Sequence, residues 1–159
     1  MKPFSIILLF VLFSVQSYGQ KFSIMQLYEM LKSGYEIFDT KALEKGFEFD
    51  SAYNTEKYTA YHYTLERTQE GKATEHLSWT SWKDGLTYIS YQISKAKEYL
   101  DFKNQLKKLG FKLIKTETVN GNLFLDYKFG NKLVTLSSGK ANNDGGLRDF
   151  YEISVEYSK

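Results

Sequence analysis

The residues best suited to metal chemistry are few in this chain. It has two histidines, His62 and His76, and no cysteine. Zinc and iron sites are built largely from these two residue types, so the composition argues against such a site. A metal held by both histidines and joined by Glu66 or Glu75 is the alternative. The simpler interpretation is two polar residues on a solvent-facing sheet, and we therefore expect no metal and no cofactor.

Common catalytic motifs are absent from the sequence. It contains no Gly-x-Ser-x-Gly elbow, no P-loop and no Gly-x-Gly-x-x-Gly fingerprint. The polar segment 139–146 lacks the alternating acidic ligands and closing Glu of a calcium loop, and it predicts a long hairpin connection. None of the acidic residues sits in an apolar run that would raise its pKa for acid–base work. The sequence leaves enzymatic activity open but gives it no support.

The aromatic content offers the strongest indication of function. Aromatic residues make up 17% of the chain, with 13 Tyr and 12 Phe. Strand alternation places Tyr58, Trp82, Tyr88 and Phe124 opposite the predicted core, with His76 beside Trp82. Such residues are enriched at protein interfaces, and their rings also stack on sugars and other flat ligands. The alternatives are ordinary exposed aromatics, or a face covered by a loop or a second protomer.

Three helices are predicted from apolar periodicity and capping signals. The first begins at Ser23, which fits a capping box with Gln26, and ends at Gly34. A short second helix should cover about residues 36–45. A longer helix should begin at Ser94 and run to about residue 109.

Alternating hydrophobicity predicts eight strands after the second helix. Asp84-Gly85 and Asn120-Gly121 predict two-residue hairpin turns, and Glu70-Gly71 predicts a weaker one. The predicted strands cover about residues 47–50, 57–65, 74–82, 86–93, 111–117, 123–129, 132–137 and 150–157.

Two halves of the chain match each other at a constant offset of 64 residues, which is the pattern of an internal repeat. The third strand alone needs local gaps. We therefore predict two copies of one unit, about residues 36–94 and 100–158, each a helix followed by about four antiparallel strands. Identical residues at this offset include Gly46 and Gly110, Tyr63 and Tyr127, Ile89 and Ile153, and Ser90 and Ser154.

The alternation also predicts which side of each strand faces the core. The second and fourth strands of both copies carry apolar residues at equivalent positions, and the intervening positions differ between copies. One covered and one solvated face is usual for antiparallel sheets. We predict an α+β, two-layer fold, with one continuous or paired curved sheet and the helices on one face. The expected core positions are Tyr61, Tyr63, Leu65, Ile89, Tyr91, Ile93, Leu125, Tyr127, Phe129, Ile153, Val155 and Tyr157. The expected outer positions are Tyr58, Ala60, His62, Thr64, Tyr88, Ser90, Gln92, Asn122, Phe124, Asp126, Lys128, Glu152, Ser154 and Glu156.

The N-terminus has the layout of a bacterial-type export signal. Lys2 precedes an apolar run, and Ser17 and Gly19 place small residues at a cleavage site that leaves Gln20 first. The apolar run spans about 12 residues, whereas a membrane span needs roughly 20. We predict a signal peptide at 1–19 and a single domain at 20–159, soluble in the periplasm or outside the cell. No cysteine is present to carry a lipid anchor.

The composition of the remaining chain narrows the partners. Only Lys2 is charged before Gly19, so 20 basic residues face 19 acidic ones in the predicted mature protein. That balance does not suggest nucleic acid or an anionic membrane surface as a partner. No further run of apolar residues is long enough to span a membrane.

The element order resembles the β-lactamase inhibitor protein architecture. The resemblance rests on the helix at Ser23, the segment 39–47 (Asp-Thr-Lys-Ala-Leu-Glu-Lys-Gly-Phe) and its counterpart at 101–111. It implies a concave, aromatic sheet able to bind a protein. The leading hypothesis is thus an exported, non-catalytic protein that binds a protein partner. A small-ligand protein for a glycan or lipid is the alternative, and an enzyme comes third.

Overall fold

The computed structural model describes residues 22–65, 75–143 and 146–157. The predicted signal peptide and the Glu70-Gly71 turn lie outside these residues. Within these residues the structure mixes three helices with an eight-stranded antiparallel sheet that is not closed. No helix in the described part of the chain is long and apolar enough to cross a membrane.

Helices α1 (Ile24–Ser33) and α2 (Tyr35–Glu44) open the described chain. The predicted capping box is confirmed. The Ser23 hydroxyl accepts the Gln26 N–H at 3.2 Å, and the Gln26 side chain accepts the Ser23 N–H at 2.9 Å. These bonds satisfy donors that the first helical turn leaves unpaired. Gly34 separates the helices with a φ of 90°, a value that favours glycine.

Eight strands form a single sheet in the order β1-β2-β3-β4-β8-β7-β6-β5. All neighbouring pairs are antiparallel, so β1 and β5 are the sheet edges. Both edge strands are bulged, between Phe49 and Ser51 in β1 and between Leu113 and Lys115 in β5. The strands are β1 (Glu48–Asn54), β2 (Tyr58–Leu65), β3 (Glu75–Trp82), β4 (Thr87–Ile93), β5 (Lys112–Val119), β6 (Asn122–Phe129), β7 (Lys132–Asn143) and β8 (Gly146–Tyr157).

Helix α3 (Ala96–Lys108) connects β4 to β5 and begins later than predicted. The expected start at Ser94 is wrong, because Lys95 is the N-cap and makes no side-chain capping bond. An ion pair between Lys95 and Glu98, at 3.4 Å, lies at this end instead.

The prediction of a long connection at residues 139–146 is also wrong. Strands β7 and β8 continue through most of it, and their pairing runs from Lys132↔Tyr157 to Asn143↔Gly146. An antiparallel ladder satisfies backbone donors and acceptors whatever side chains it carries. A polar strand pair therefore gives no hydrophobic alternation for the sequence to reveal.

One buried cluster joins residues of all three helices to alternate residues of the six inner strands of the sheet. It includes most of the predicted core positions, and Tyr61 and Tyr157 pack partly buried against it. Its helical members are Ile24, Leu27, Tyr28, Met30, Leu31, Phe38, Ala42, Tyr99, Phe102 and Leu106. Its strand members are Tyr63, Leu65, Leu77, Trp79, Ile89, Tyr91, Ile93, Leu125, Tyr127, Val134, Leu136, Ile153 and Val155.

Three positions keep their predicted faces but differ from the prediction in burial. Phe129 was expected in the core but is 51% exposed at the end of β6, where its ring lies 5.7 Å from that of Phe111. Ala60 and Thr64 were expected on a solvated face but are buried. Both side chains are short and belong to β2, which is flanked by paired strands on each side, so neighbouring side chains shield them.

Candidate functional site

The outer face consists of the strand residues that alternate with those in the core. Successive side chains of a strand point to opposite sides, and paired residues of antiparallel strands share a side. The pairing Tyr91↔Ile153 is buried, whereas Ser90↔Ser154 lies beside it on the outer face and is half-exposed. The core residues of β2, β3, β4 and β8 thereby determine which side chains the outer face presents.

An aromatic cluster, made of Tyr58, Trp82 and Tyr88, occupies one end of this face. Tyr58 pairs with Trp82 across β2 and β3, with ring centroids 5.0 Å apart at 47°. Tyr88 pairs with Thr80, which puts it diagonally across from Trp82 at about 7–8 Å. All three aromatic side chains are half-exposed. The structure thus brings together three of the five residues that the sequence singled out.

The other two predicted residues lie elsewhere on the outer face. His76 is exposed at the far end of β3, six residues from Trp82 and therefore about 20 Å away. The expectation that it sits beside Trp82 is wrong. Phe124 belongs to β6 and is separated from β3 by β4, β8 and β7, or about 19 Å. Sharing a face does not bring these residues together.

The burial of one Trp82 atom determines which part of its side chain is exposed. Its Nε1 is buried and has no hydrogen-bond partner among the described residues. Since Nε1 is the only polar atom of an indole, the exposed part of Trp82 is hydrocarbon. The aromatic cluster therefore presents a mainly apolar surface with tyrosine hydroxyls on either side.

A polar hollow of about 230 Å³ lies on the same face, between the aromatic cluster and the end of β3 that carries His76. Short serine side chains on adjacent strands form its floor, and longer polar side chains stand around them. Glu152 is held by the Ser154 hydroxyl, which donates to its Oε1 at 3.2 Å. The residues that line the polar hollow are His62, His76, Ser78, Ser90, Gln92 and Glu152.

Carboxylates stand beyond the polar hollow on β8 and β6. Partial burial raises the pKa of the Glu156 carboxyl, and the negative charge of Asp126 raises it further. Asp126 accepts a hydrogen bond from the Thr135 hydroxyl at 2.8 Å.

Of the two carboxylates that the sequence allowed to join the histidines, Glu75 faces the other side of the sheet. Glu75 is buried and accepts a hydrogen bond from the Tyr91 hydroxyl, on the core side of β3. Glu66 lies outside the described residues. Across residues 22–65, 75–143 and 146–157, no three His, Cys, Asp or Glu side chains gather as metal ligands would.

Two further cavities lie away from the aromatic cluster. One of about 600 Å³ lies where the β5–β6 turn meets β7 and β8, and Asn122, Asp149 and Tyr151 are among its lining residues. Another of about 480 Å³ lies between α1 and α2, where Ile37 and Lys41 are among its lining residues. The sequence predicted neither cavity, because the residues that line each one belong to different secondary-structure elements.

No protein-family model, curated protein or solved structure matches this chain. Its function must therefore be inferred from its own residues and their geometry.

The sequence missed the polar hollow although it placed most of its residues on the outer face. The signal was there in part, since Ser90, Gln92 and Glu152 alternate with buried apolar residues. What the sequence lacked was the neighbour relation of β4 and β8, which sets Gln92 directly opposite Glu152.

Proposed function

We propose that this protein is an exported, non-catalytic binding protein that docks a protein partner on its outer sheet face through the aromatic cluster. The observation that carries the proposal is the arrangement of Tyr58, Trp82 and Tyr88. Three half-exposed aromatic side chains converge there, and the exposed part of Trp82 is hydrocarbon. Tyrosine and tryptophan are enriched among the residues that dominate protein-binding energies.

We also propose that the fold is a tandem repeat with all three helices covering one face. The matching registers support the repeat. Phe49 pairs with Tyr63 just as Leu113 pairs with Tyr127, 64 residues later, and the bulges of β1 and β5 occur at equivalent positions. Ser90 pairs with its own counterpart Ser154, as a two-fold relation between copies requires.

The layered arrangement is supported by the buried residues. Core residues of α1, α2 and α3 join a single cluster with alternate strand residues. Tyr28 ties α1 to the sheet, since its hydroxyl donates to the Leu133 carbonyl at 2.7 Å and lies 3.2 Å from the Glu156 carbonyl.

The decisive experiment compares capture of partners by matched variants of the mature protein. W82A and Y88A should each weaken binding of a captured protein about 30-fold, the factor that corresponds to a loss of 2 kcal/mol at an interface hot spot. L100A is the control, because Leu100 is 55% exposed on α3 and is also a large apolar residue. Circular dichroism of each variant checks the fold.

The result that would refute docking at this cluster is equal binding by W82A, Y88A and L100A. W82F keeps an aromatic ring and should retain most of the affinity, which separates lost contact from lost folding. Export is tested separately by the mass of the secreted product, which should begin at Gln20. A product retaining residues 1–19 would contradict cleavage.

A small-ligand function is the second candidate, and the cavity of about 600 Å³ favours it. That volume lies within the roughly 300–1,000 Å³ typical of ligand pockets. Its lining combines a tyrosine ring with polar groups of Asn122, Ser138 and Asp149, which suits a sugar better than a lipid. Glycan binding that Y151A abolishes and W82A leaves intact would favour this candidate over protein docking.

A further inference from the structure

The polar hollow beside the aromatic cluster has a chemistry of its own. Its floor is formed by Ser78 and Ser90, which face each other across β3 and β4. Gln92 and Glu152 face each other across β4 and β8 at its side. Main-chain pairing thus fixes the positions of these four residues, so the polar hollow is held in shape by the sheet.

Hydrogen-bonding side chains line this surface, and one of them, Glu152, is a carboxylate. Carboxylate, amide and hydroxyl oxygens of Glu152, Gln92, Ser78 and Ser90 all accept hydrogen bonds. His62 also lines the polar hollow. A group with several donors and a positive charge would satisfy these acceptors together.

The charged residues near the polar hollow also bear on whether it can hold a cation. Glu156 lies four residues after Glu152 on β8 and on the same face, and its raised pKa reflects both burial and the charge of Asp126. Two described basic residues on this face are Lys115, which pairs with Glu117 on β5 at 2.6 Å, and Arg148, which lies four residues before Glu152 on β8 and about 13 Å from it. A cation entering the polar hollow would therefore meet the carboxylate of Glu152 before any described basic side chain of β5 or β8.

The volume limits what that cation can be. At about 230 Å³ the polar hollow is smaller than the roughly 300–1,000 Å³ of a pocket for a drug-sized ligand. It therefore suits a single side chain. Ser90 is two residues from Tyr88 on β4, about 7 Å away, so one partner could contact both features.

We propose that the polar hollow receives an arginine or lysine side chain of the partner protein, with Glu152 as its counter-ion. This inference rests on the proposed docking of a protein at the aromatic cluster. It adds that the partner presents a basic residue next to the surface that covers Trp82.

The test uses the mature, isotope-labelled protein and two small probes of nearly the same shape, one cationic and one neutral with fewer hydrogen-bond donors. Nα-acetyl-arginine methylamide carries the guanidinium, and the corresponding citrulline derivative replaces it with a neutral urea. Backbone amide shifts of Ser78, Ser90 and Glu152 should saturate with arginine at millimolar concentration. Citrulline should bind about tenfold more weakly, as expected when a hydrogen bond loses its charge.

Matched variants assign the effect to one carboxylate. E152Q should weaken arginine binding about tenfold and leave citrulline binding unchanged. E117Q is the control, since Glu117 is an exposed carboxylate on edge strand β5 of the same sheet. It should leave binding of both probes unchanged. The amide spectrum of each variant reports directly whether it is folded.

Three results would overturn the inference. They are equal binding of arginine and citrulline, no saturable shifts at the polar hollow, or shifts caused there by glucose but not by arginine. If E152Q failed to fold, the comparison of the two probes on the wild-type protein would still show whether the polar hollow prefers a cation. Failure here also differs from failure of the proposed docking, because W82A and Y88A test that docking without either probe.

Discussion

Tyr63→Phe tests whether a buried hydroxyl fastens α2 to the sheet. Tyr63 is fully buried in β2, and its hydroxyl donates to a carboxylate oxygen of Asp39 in α2. The Tyr35 hydroxyl lies 3.0 Å from the Tyr63 hydroxyl oxygen. The ring itself packs edge-on against Phe38, with centroids 5.4 Å apart. Replacement by phenylalanine removes the hydroxyl and keeps this packing.

The expected loss follows from the charge of the acceptor. A hydrogen bond to a charged group contributes about 1.5–3 kcal/mol, whereas a neutral one contributes about 1 kcal/mol. We expect Y63F to lower the free energy of unfolding by about 2 kcal/mol. With a urea slope of about 1–3 kcal/mol/M, the unfolding midpoint should fall by about 1 M at unchanged slope.

A double-mutant cycle with Asp39→Asn assigns the loss to this contact. Y63F and D39N together should cost less than the sum of the single changes, because both remove the same interaction. Y53F is the matched control, since Tyr53 is 53% exposed on β1 and its loss should stay within about 0.5 kcal/mol. Additive single losses, or a Y63F effect no larger than that of Y53F, would refute the reasoning.

Two further outcomes are expected. F102A should lower the free energy of unfolding by about 3–5 kcal/mol, because Phe102 is fully buried and truncating its side chain leaves a cavity. L100A, on the exposed side of α3, should lower it little. Equal effects of the two changes in urea titrations would contradict the assigned helix face. Burial raises the pKa values of Tyr28 and Tyr63 above the ordinary value of 10. As the pH rises, the unfolded chain therefore loses these two protons before the folded protein does. The free energy of unfolding should be constant with respect to these groups below about pH 10 and should decline as the pH rises further. Unfolding measured between pH 8 and 12 should show this decline, Y28F should reduce its slope, and a flat profile would argue against buried tyrosines.

Local patterns identified most elements of this fold. The capping box at Ser23, the helix stop at Gly34 and the turn at Asp84-Gly85 depend on residues close in sequence. The strands β2, β3 and β4 were found within one residue, because one side of each is buried and the alternation is strong. The distal halves of β7 and β8 were missed because their ladder needs no apolar side chains.

The sequence by itself determined which side of each strand a residue occupies, since the pleat alternates with period two. It could therefore place Tyr58, Trp82 and Tyr88 on one face. Only the tertiary structure decided which strands are neighbours. The pairing of β4 with β8 joins residues 58 to 68 positions apart. It sets Gln92 opposite Glu152, and the resulting strand order leaves Phe124 four strands away from Trp82. Strand order depends on how the whole chain buries its apolar surface, and no local pattern encodes it.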